Sequence, residues 1–301
     1  MTPDTMTAVP QKSKVLVGAL YMTLAMFLFG IGNGLVKETA QDCTVTQIIF
    51  FRSLWALATL VVYMFVAKKF SLIKTHKLPQ QLSRGLIGFV SLCAMYYSFD
   101  VLPLTDGTAL VFASPLFITA LAYPLLKEHV ELKIWVAIFI GFAGVSIMAN
   151  PSGHVTFAGV SAGILSAFLE AVIAIMARKL SSTEHPITTT FYHTLVLTVV
   201  AGALVPFFWN PISLSSFVLL IVLGVLSAIG QVFMVSAYSM APAAVVAPLL
   251  YTLMVWAAIL GYFRWDESFR IHLLVGAPIV IVSGVYIIYR ESRAAPPPTL
   301  Q

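Results

Sequence analysis

Glu170 is an acidic residue in the middle of an apolar run, residues 157–177, that is long enough to cross a lipid bilayer. It is the only acidic residue near the centre of any such run in this sequence. A carboxylate at that depth costs roughly a few kcal/mol or more, so it usually faces the protein interior or a wet cavity and marks a pathway. Glu170 would pair there with a cationic ligand, carry a proton, or do both in competition. The alternative is a protonated side chain that only bonds a neighbouring helix.

Small side chains surround Glu170 on one face of its predicted helix. They lie three, four or seven residues away from it or from each other, and they are Gly163, Ser166, Ala167, Ala174 and Ala177. Small residues on one face let another helix approach closely or leave room for a cavity. We therefore expect Glu170 to point into the protein and not at lipid.

Arg52 is a second charged candidate, about two turns into the second apolar run. Its guanidinium suits binding of a carboxylate or pairing with a buried acid. Alternatively, its long side chain reaches the headgroups at the membrane surface. Trp55 and Thr59 lie on the same helical face, which indicates a lined cavity beside Arg52.

Two polar residues in other runs are further candidates. His193 is the near counterpart of Arg52 in the second half of the chain. Its imidazole suits a proton relay, although a single histidine is more often a satisfied core residue. Asn33 stands in the glycine-rich segment Gly-Ile-Gly-Asn-Gly, residues 30–34. The glycines permit local unwinding for substrate contact or a hinge, or simply close helix packing.

An amide and two neighbouring phenols complete the set of candidate residues. Gln231 lies near the centre of the eighth apolar run, where an amide either binds a ligand or bridges helices. Tyr96 and Tyr97 would stack on a planar ligand, form cation–π contacts, or pack. The eight residues together predict a pathway for a polar solute and no catalytic or metal site.

Ten apolar runs must position these side chains. The chain has 301 residues, of which 59% are hydrophobic and 10% are charged, against about 25% charged residues in a soluble domain. The mean hydropathy is +0.95. The runs are residues 15–36, 45–66, 82–102, 105–126, 132–149, 157–177, 187–207, 213–238, 242–263 and 269–289. We predict an all-α integral membrane protein with ten transmembrane helices, because the alternation of a barrel is absent and the joins are short.

Positive charges are distributed unevenly between the joins. If the N-terminus is cytoplasmic, most of the 17 Lys and Arg residues, Arg84 among them, fall on inner segments. The exceptions are Lys37, Arg264 and Arg270 on outer segments and Arg52 inside a span. The positive-inside rule then places both termini in the cytoplasm, with the chain in the inner (plasma) membrane.

We expect neither a disulfide nor a cleaved signal peptide. Cys43 is expected in the first outer join and Cys93 inside the third span, so we expect no disulfide between them. The first apolar run is too long for a cleavable signal peptide and reads as a signal-anchor.

The second half of the chain repeats the first. A shift of 139 positions (242 − 103) places three residues on matching types: Pro103 on Pro242, Gly85 on Gly224 and Glu128 on Glu267. The sequence therefore divides into a tail of residues 1–14, two five-helix repeats at 15–149 and 157–290, and a disordered tail at 291–301. Because five is odd, the second repeat enters the membrane inverted, which is a hallmark of secondary transporters.

Two related stretches carry a family resemblance. They begin "YYSFDVLPLTDGTALVFASPLF" at Tyr96 and "SAYSMAPAAVVAPLLYTLMVW" at Ser236. With the short acidic turn at Glu128, they resemble the EamA branch of the drug/metabolite transporter superfamily over residues 15–290. Within this branch, the sequence is most similar to carriers of S-adenosylmethionine and riboflavin, chiefly over residues 96–108. Met254 stands opposite Pro115, where the family often has proline, so a bend of the ninth helix, if there is one, is expected near Pro248. This departure argues against symmetric hinging of helices four and nine.

The repeats and the resemblance imply a secondary active transporter of a small polar metabolite, such as an amino acid or an S-adenosylmethionine-like compound. It would work by alternating access, with proton coupling or exchange. A membrane-embedded enzyme, or a channel or receptor, is the alternative, although no catalytic constellation or filter-like repeat is evident. The expected partners are the metabolite and the lipid bilayer, without nucleic acid and without a cofactor. The sequence leaves a homodimer open.

Overall fold

The structure, a computed structural model, describes residues 11–102, 107, 110–128, 130–149, 156–265 and 271–291. Three residues named above, Pro103, Glu267 and Arg270, lie outside the described residues, as do most of the two predicted tails.

The described residues form helices and no strand, which confirms the predicted all-α class. The helices are α1 Gln11–Thr39, α2 Val45–Val66, α3 Leu78–Val101, α4 Ser114–Leu126, α5 Leu132–Ala149, α6 Phe157–Leu180, α7 Pro186–Leu204, α8 Leu214–Met240, α9 Ala243–Val246, α10 Thr252–Trp265 and α11 Ile271–Glu291. Six of them, α1 to α3 and α6 to α8, are long and apolar enough to span a membrane by themselves. The other four predicted spans are shorter apolar helices in the described part of the chain, with α9 and α10 together making the ninth.

Local sequence signals explain where several helices begin. Thr44 caps α2 in a capping box, in which Gln47 N donates to Thr44 Oγ1 at 3.3 Å and Thr44 N donates to Gln47 Oε1 at 2.9 Å. Ser213 caps α8 by accepting a 3.2 Å bond from Ser216 N. Each cap satisfies a backbone donor that the helix leaves unpaired.

The ninth segment bends where the sequence predicted. A 3₁₀ stretch, Ala247–Tyr251, separates α9 from α10 and contains Pro248 in its first turn. The fourth segment is interrupted too, by a turn at residues 112–113 just before α4. The two breaks occupy equivalent places, since the repeat shift of 139 carries Phe112 onto Tyr251 (251 − 112). The rings of these two residues also contact each other, with 6.4 Å between their centroids.

The two repeats pack against each other through most of their helices. Helix α8 packs on α1 and α2, α3 packs on α6 and α7, and α5 packs on α11. Two equivalent glycines permit the closest approaches. A Cβ on Gly224 would lie 2.3 Å from the Cβ of Trp55 in α2, and one on Gly85 would lie 2.5 Å from the Cβ of Val196 in α7. The interface between the repeats therefore runs through the middle of the protein.

Polar contacts close the two ends of this interface. At one end, here called the Asp42 face, Ser213 Oγ and Ser216 Oγ donate to the Asp42 carboxylate at 2.6 and 2.7 Å. At the other end, the Glu128 face, Arg178 Nε donates to Glu128 Oε1 and Ala243 N donates to Glu128 Oε2, both at 2.8 Å. Both links join residues of different repeats.

Candidate functional site

Glu170 lies at the contact between α6 and α3. Ser91 Oγ, on α3, lies 3.1 Å from Glu170 Oε1 and equally 3.1 Å from the carbonyl oxygen of Ser166. Ser91 is fully buried and the glutamate side chain is half-buried. The small residues that the sequence grouped around Glu170 are all buried. As expected, then, the carboxylate faces the other repeat at mid-helix depth.

Arg52 reaches the same interface from α2. Its Nε donates a 2.8 Å bond to Ser227 Oγ on α8, so the guanidinium crosses from one repeat to the other. Arg52 is also close enough to Glu170 and to the half-buried Tyr96 to interact electrostatically with both. Tyr96 and Arg52 therefore join Glu170 in one group.

Arg84 is carried into the interior of the protein by α3. The helix begins at Leu78 and has Arg84 in its second turn, with no exposed surface. Arg84 Nε donates a long 3.4 Å bond to the carbonyl oxygen of Ile173 on α6. Its Nη1 and Nη2 atoms are buried without a hydrogen-bond partner among the described residues. Glu170 and Tyr238 are close enough to interact with it electrostatically.

His193 lies on α7 beside Arg84 and Arg52, close enough to interact electrostatically with both. The imidazole packs against Gly88 of α3, where a Cβ would come within 2.6 Å of His193 Cε1. Its Nδ1 is buried without a partner in the described part of the chain.

One face of α8 completes the group. Ser227 and Gln231 are four residues apart, and Tyr238 follows seven residues later, so all three lie on the face that Arg52 contacts. All three are buried. Gln231 is thus placed on the same face as the Arg52 anchor, one turn closer to the Glu128 face.

Three predicted residues lie outside this group. Asn33 is exposed on α1, which stays helical through the glycine-rich segment, while Gly32 packs against Leu223. Tyr97 is half exposed. Trp55 packs edge-on against Phe217, with ring centroids 5.9 Å apart, and its Nε1 is buried without a partner among the described residues.

Sequence reasoning missed the stripe on α3 that faces α6 and α7. The stripe consists of small or polar residues spaced three, four or seven apart and all buried: Gln81, Arg84, Gly88, Ser91 and Ser98. This spacing places side chains on one side of a helix. The stripe was detectable as a polar face within an apolar run, although nothing in the sequence says which helix covers it.

The group concentrates charge in an otherwise apolar interior. The guanidinium groups of α2 and α3 and the carboxylate of α6 lie within electrostatic range, and a histidine and two tyrosines lie within range of members of this set. Buried charges persist only when they are paired or serve a ligand. Among the described residues this group has one carboxylate for two arginines, so it can hold a second anionic group.

Known transporters are similar to this chain over nearly its whole length. The profile of the EamA-like transporter family matches residues 16–150 and again residues 157–290. The pseudopaline exporter CntI of Pseudomonas aeruginosa is 30% identical over 273 residues, covering 89% of this chain and 94% of the exporter. An S-adenosylmethionine uptake transporter of Rickettsia felis is 30% identical over 283 residues, covering 90% and 96% respectively.

A solved crystal structure has the same fold. It matches with a TM-score of 0.77 at 14% sequence identity, covering 93% of this chain and 99% of its own. This likeness concerns the fold alone.

Proposed function

The chain belongs to the EamA-like transporter family, and we propose that it is a secondary active carrier of a zwitterionic metabolite that contains an amino acid group, with Glu170 as its coupling residue. Its relatives are named transporters and not enzymes, which agrees with the expectation from the repeats. The substrate, the coupling and the working cycle are the parts that we propose.

The observation that carries the proposal is the contact between Ser91 and Glu170. It joins the two repeats at 3.1 Å, midway along α6, with Arg52 within electrostatic range. Carriers built from inverted repeats place their sites at the repeat interface near the bilayer midplane, where rocking of one repeat exposes the site to each side in turn. A titratable group there changes its partners as the repeats move.

The paired charges favour a substrate with both signs. The Glu170 carboxylate suits a substrate ammonium or sulfonium group, and the Arg52 guanidinium suits a substrate carboxylate. S-adenosylmethionine and free amino acids both have this pattern. The half-buried ring of Tyr96, near Arg52, is available for a planar or cationic portion of the ligand.

The direction of transport is a separate matter. One relative is named an exporter and another an uptake transporter, so their names support either direction. We further propose that the chain lies in the inner membrane with the Glu128 face in the cytoplasm. The contact of Arg290, at the end of α11, with Glu131 places the C-terminal end of the described chain at that face.

Counterflow in proteoliposomes tests this function. Vesicles loaded with unlabelled S-adenosylmethionine or with a mixture of amino acids are assayed for uptake of the same labelled compound, beside vesicles without protein. Trans-stimulated uptake of a zwitterion is the expected result, and a compound without a carboxylate should not exchange. Flux that is insensitive to internal substrate, or selective for uncharged solutes, would contradict the proposal.

A further inference from the structure

Arg84 is a buried guanidinium that the contacts within the protein leave largely unsatisfied. It is fully buried, its single hydrogen bond is a long one of 3.4 Å to a backbone carbonyl, and both Nη atoms lack a partner among the described residues. An unmet charge-assisted donor inside a protein is costly, so it normally serves a partner that arrives in another state. Its planar fork matches a carboxylate in a bidentate manner.

The position of Arg84 along its helix separates it from Arg52. Arg52 lies near the start of α2, on the half of the protein that ends at the Asp42 face. Arg84 lies near the start of α3, on the half that ends at the Glu128 face, since the chain crosses once between the two helix starts. Glu170 is within electrostatic range of both arginines. The carboxylate thus has one arginine toward each face.

Unpartnered polar atoms of other residues accompany Arg84. The Oε1 atom of Gln81, one turn earlier on α3, and the Nδ1 atom of His193 are also buried without a partner in the described chain. Gln81 is anchored only by a 3.4 Å bond from its Nε2 to Thr189 Oγ1. Three side chains with unmet hydrogen-bonding capacity therefore cluster on the Glu128 side of Glu170, where packing alone would favour apolar residues.

We propose that Arg84 is a second anion-binding residue of the pathway, which receives the carboxylate of the substrate when the interface opens toward the Glu128 face. Arg52 holds the same group when the interface opens toward the Asp42 face. This proposal rests on the proposed carrier function and adds to it a substrate class, since the transported compound must carry a carboxylate or a comparable anionic group. Glu170 lies between the two arginines. Its negative charge keeps the carboxylate of the substrate from staying on either arginine.

Ser91→Cys provides a reporter within this cluster, since it lies seven residues from Arg84 on the same face of α3 and contacts Glu170. It is made with Cys43→Ser and Cys93→Ser, which remove the two native cysteines. Inside-out and right-side-out vesicles are treated with two membrane-impermeant methanethiosulfonates of similar size, one with a sulfonate group and one with a trimethylammonium group. The ratio of their reaction rates reports the local attraction for anions and needs no knowledge of the substrate.

We expect this ratio, measured from the Glu128 face, to fall on the order of tenfold in Arg84→Gln, the scale of one unit charge acting across a partly wet cavity. Arg84→Lys should keep the ratio near that of the parent, and Glu170→Gln should raise it. A reporter that does not react from this face, or an unchanged ratio in Arg84→Gln, would overturn the proposal.

A measurement on the native side chain covers the case in which Arg84→Gln fails to fold. Phenylglyoxal modification of wild-type vesicles, read by mass spectrometry, should reach Arg84, whereas a purely structural guanidinium should stay unmodified. Both readouts are independent of the counterflow assay. A failure of every tested zwitterion to exchange would therefore count against the proposed substrate and not against the anion site.

Discussion

Ser91 Oγ of the first repeat lies 3.1 Å from Glu170 Oε1 of the second, at the centre of the interface between inverted five-helix units. Neither residue has its partner in its own repeat, so the contact depends on how the repeats sit against each other. Movement of one repeat would change the environment of the carboxylate at once. This dependence is what a coupling residue requires, because its proton or ion affinity must differ between the two open states.

Substitutions of Arg52 and Ser227 test substrate binding separately from turnover. Arg52→Gln is expected to raise the KM for a carboxylate substrate by at least about tenfold, the scale of a lost charge-assisted bond. Ser227→Ala should raise KM a few-fold with little change in kcat, because it only frees the guanidinium that Ser227 holds at 2.8 Å. Initial rates in proteoliposomes measure both. Unchanged KM in Ser227→Ala would show that this bond does not position Arg52.

Glu128 should stabilise the Glu128 face. Its carboxylate accepts bonds from Arg178 Nε and Ala243 N, and the two paired side chains are only 15% and 26% exposed. Glu128→Gln should therefore cost about 1–3 kcal/mol of unfolding free energy. The matched control is Glu131→Gln, because the Glu131 side chain is 46% exposed in its pair with Arg290 and should cost less than about 1 kcal/mol. Thermal unfolding in detergent measures both, and equal losses would contradict this ranking.

Gly224 should tolerate no side chain. A Cβ there would lie 2.3 Å from the Cβ of Trp55 and 3.0 Å from backbone atoms of α2, so Gly224→Ala must push α8 away from α2. We expect a loss of about 1–3 kcal/mol, typical of overpacking. Gly32→Ala is the control, because its Cβ would meet only the end of the Leu223 side chain, at 3.2 Å. Equal thermal midpoints for the two variants would show that the close approach of α8 and α2 is not required.

Asp42 should make the Asp42 face sensitive to acid. Hydrogen bonds from Ser213 and then Ser216 hold the pKa of the Asp42 carboxyl below its ordinary value of 3.8. Because the folded-state pKa is lowered, the stabilisation is present above pH 3.8 and is lost as the pH falls through the lower folded-state value. Asp42→Asn should therefore lower the thermal midpoint at pH 6 and lose that difference at strongly acid pH. A constant difference at every pH would contradict the assignment.

The helical architecture was predictable because each span must satisfy its own backbone in lipid, which forces long apolar runs. The repeat was predictable because matching residues such as Gly85 and Gly224 recur at one spacing. The family profile, which matches the two halves separately, confirms the two repeats. The candidate residues Glu170 and Arg52 followed from the rarity of charge at that depth.

Arg84 and the break before α4 were not predictable in the same way. Arg84 sits close to a basic loop, and charge alone cannot distinguish a loop arginine from one that the helix start at Leu78 carries inward. The break before α4, at residues 112–113, precedes Pro115 in the first turn of that helix, whereas Pro248 lies inside the break of the ninth segment. Which helices cover a polar stripe depends on tertiary packing, which a single sequence does not reveal.

Gradient-driven uptake by Glu170→Gln tests the central claim most directly. Wild type, Glu170→Gln and the control Glu184→Gln are compared in proteoliposomes, with and without an inward proton gradient, using S-adenosylmethionine and an amino acid mixture. Glu184 is a suitable control because it is also buried, but at the Glu128 face, where it accepts a 3.2 Å bond from His76 N. We predict that the gradient stimulates uptake in wild type and Glu184→Gln, and that Glu170→Gln inserts normally but loses the stimulation. Gradient-stimulated uptake that survives in Glu170→Gln would contradict the role of Glu170 as the coupling residue.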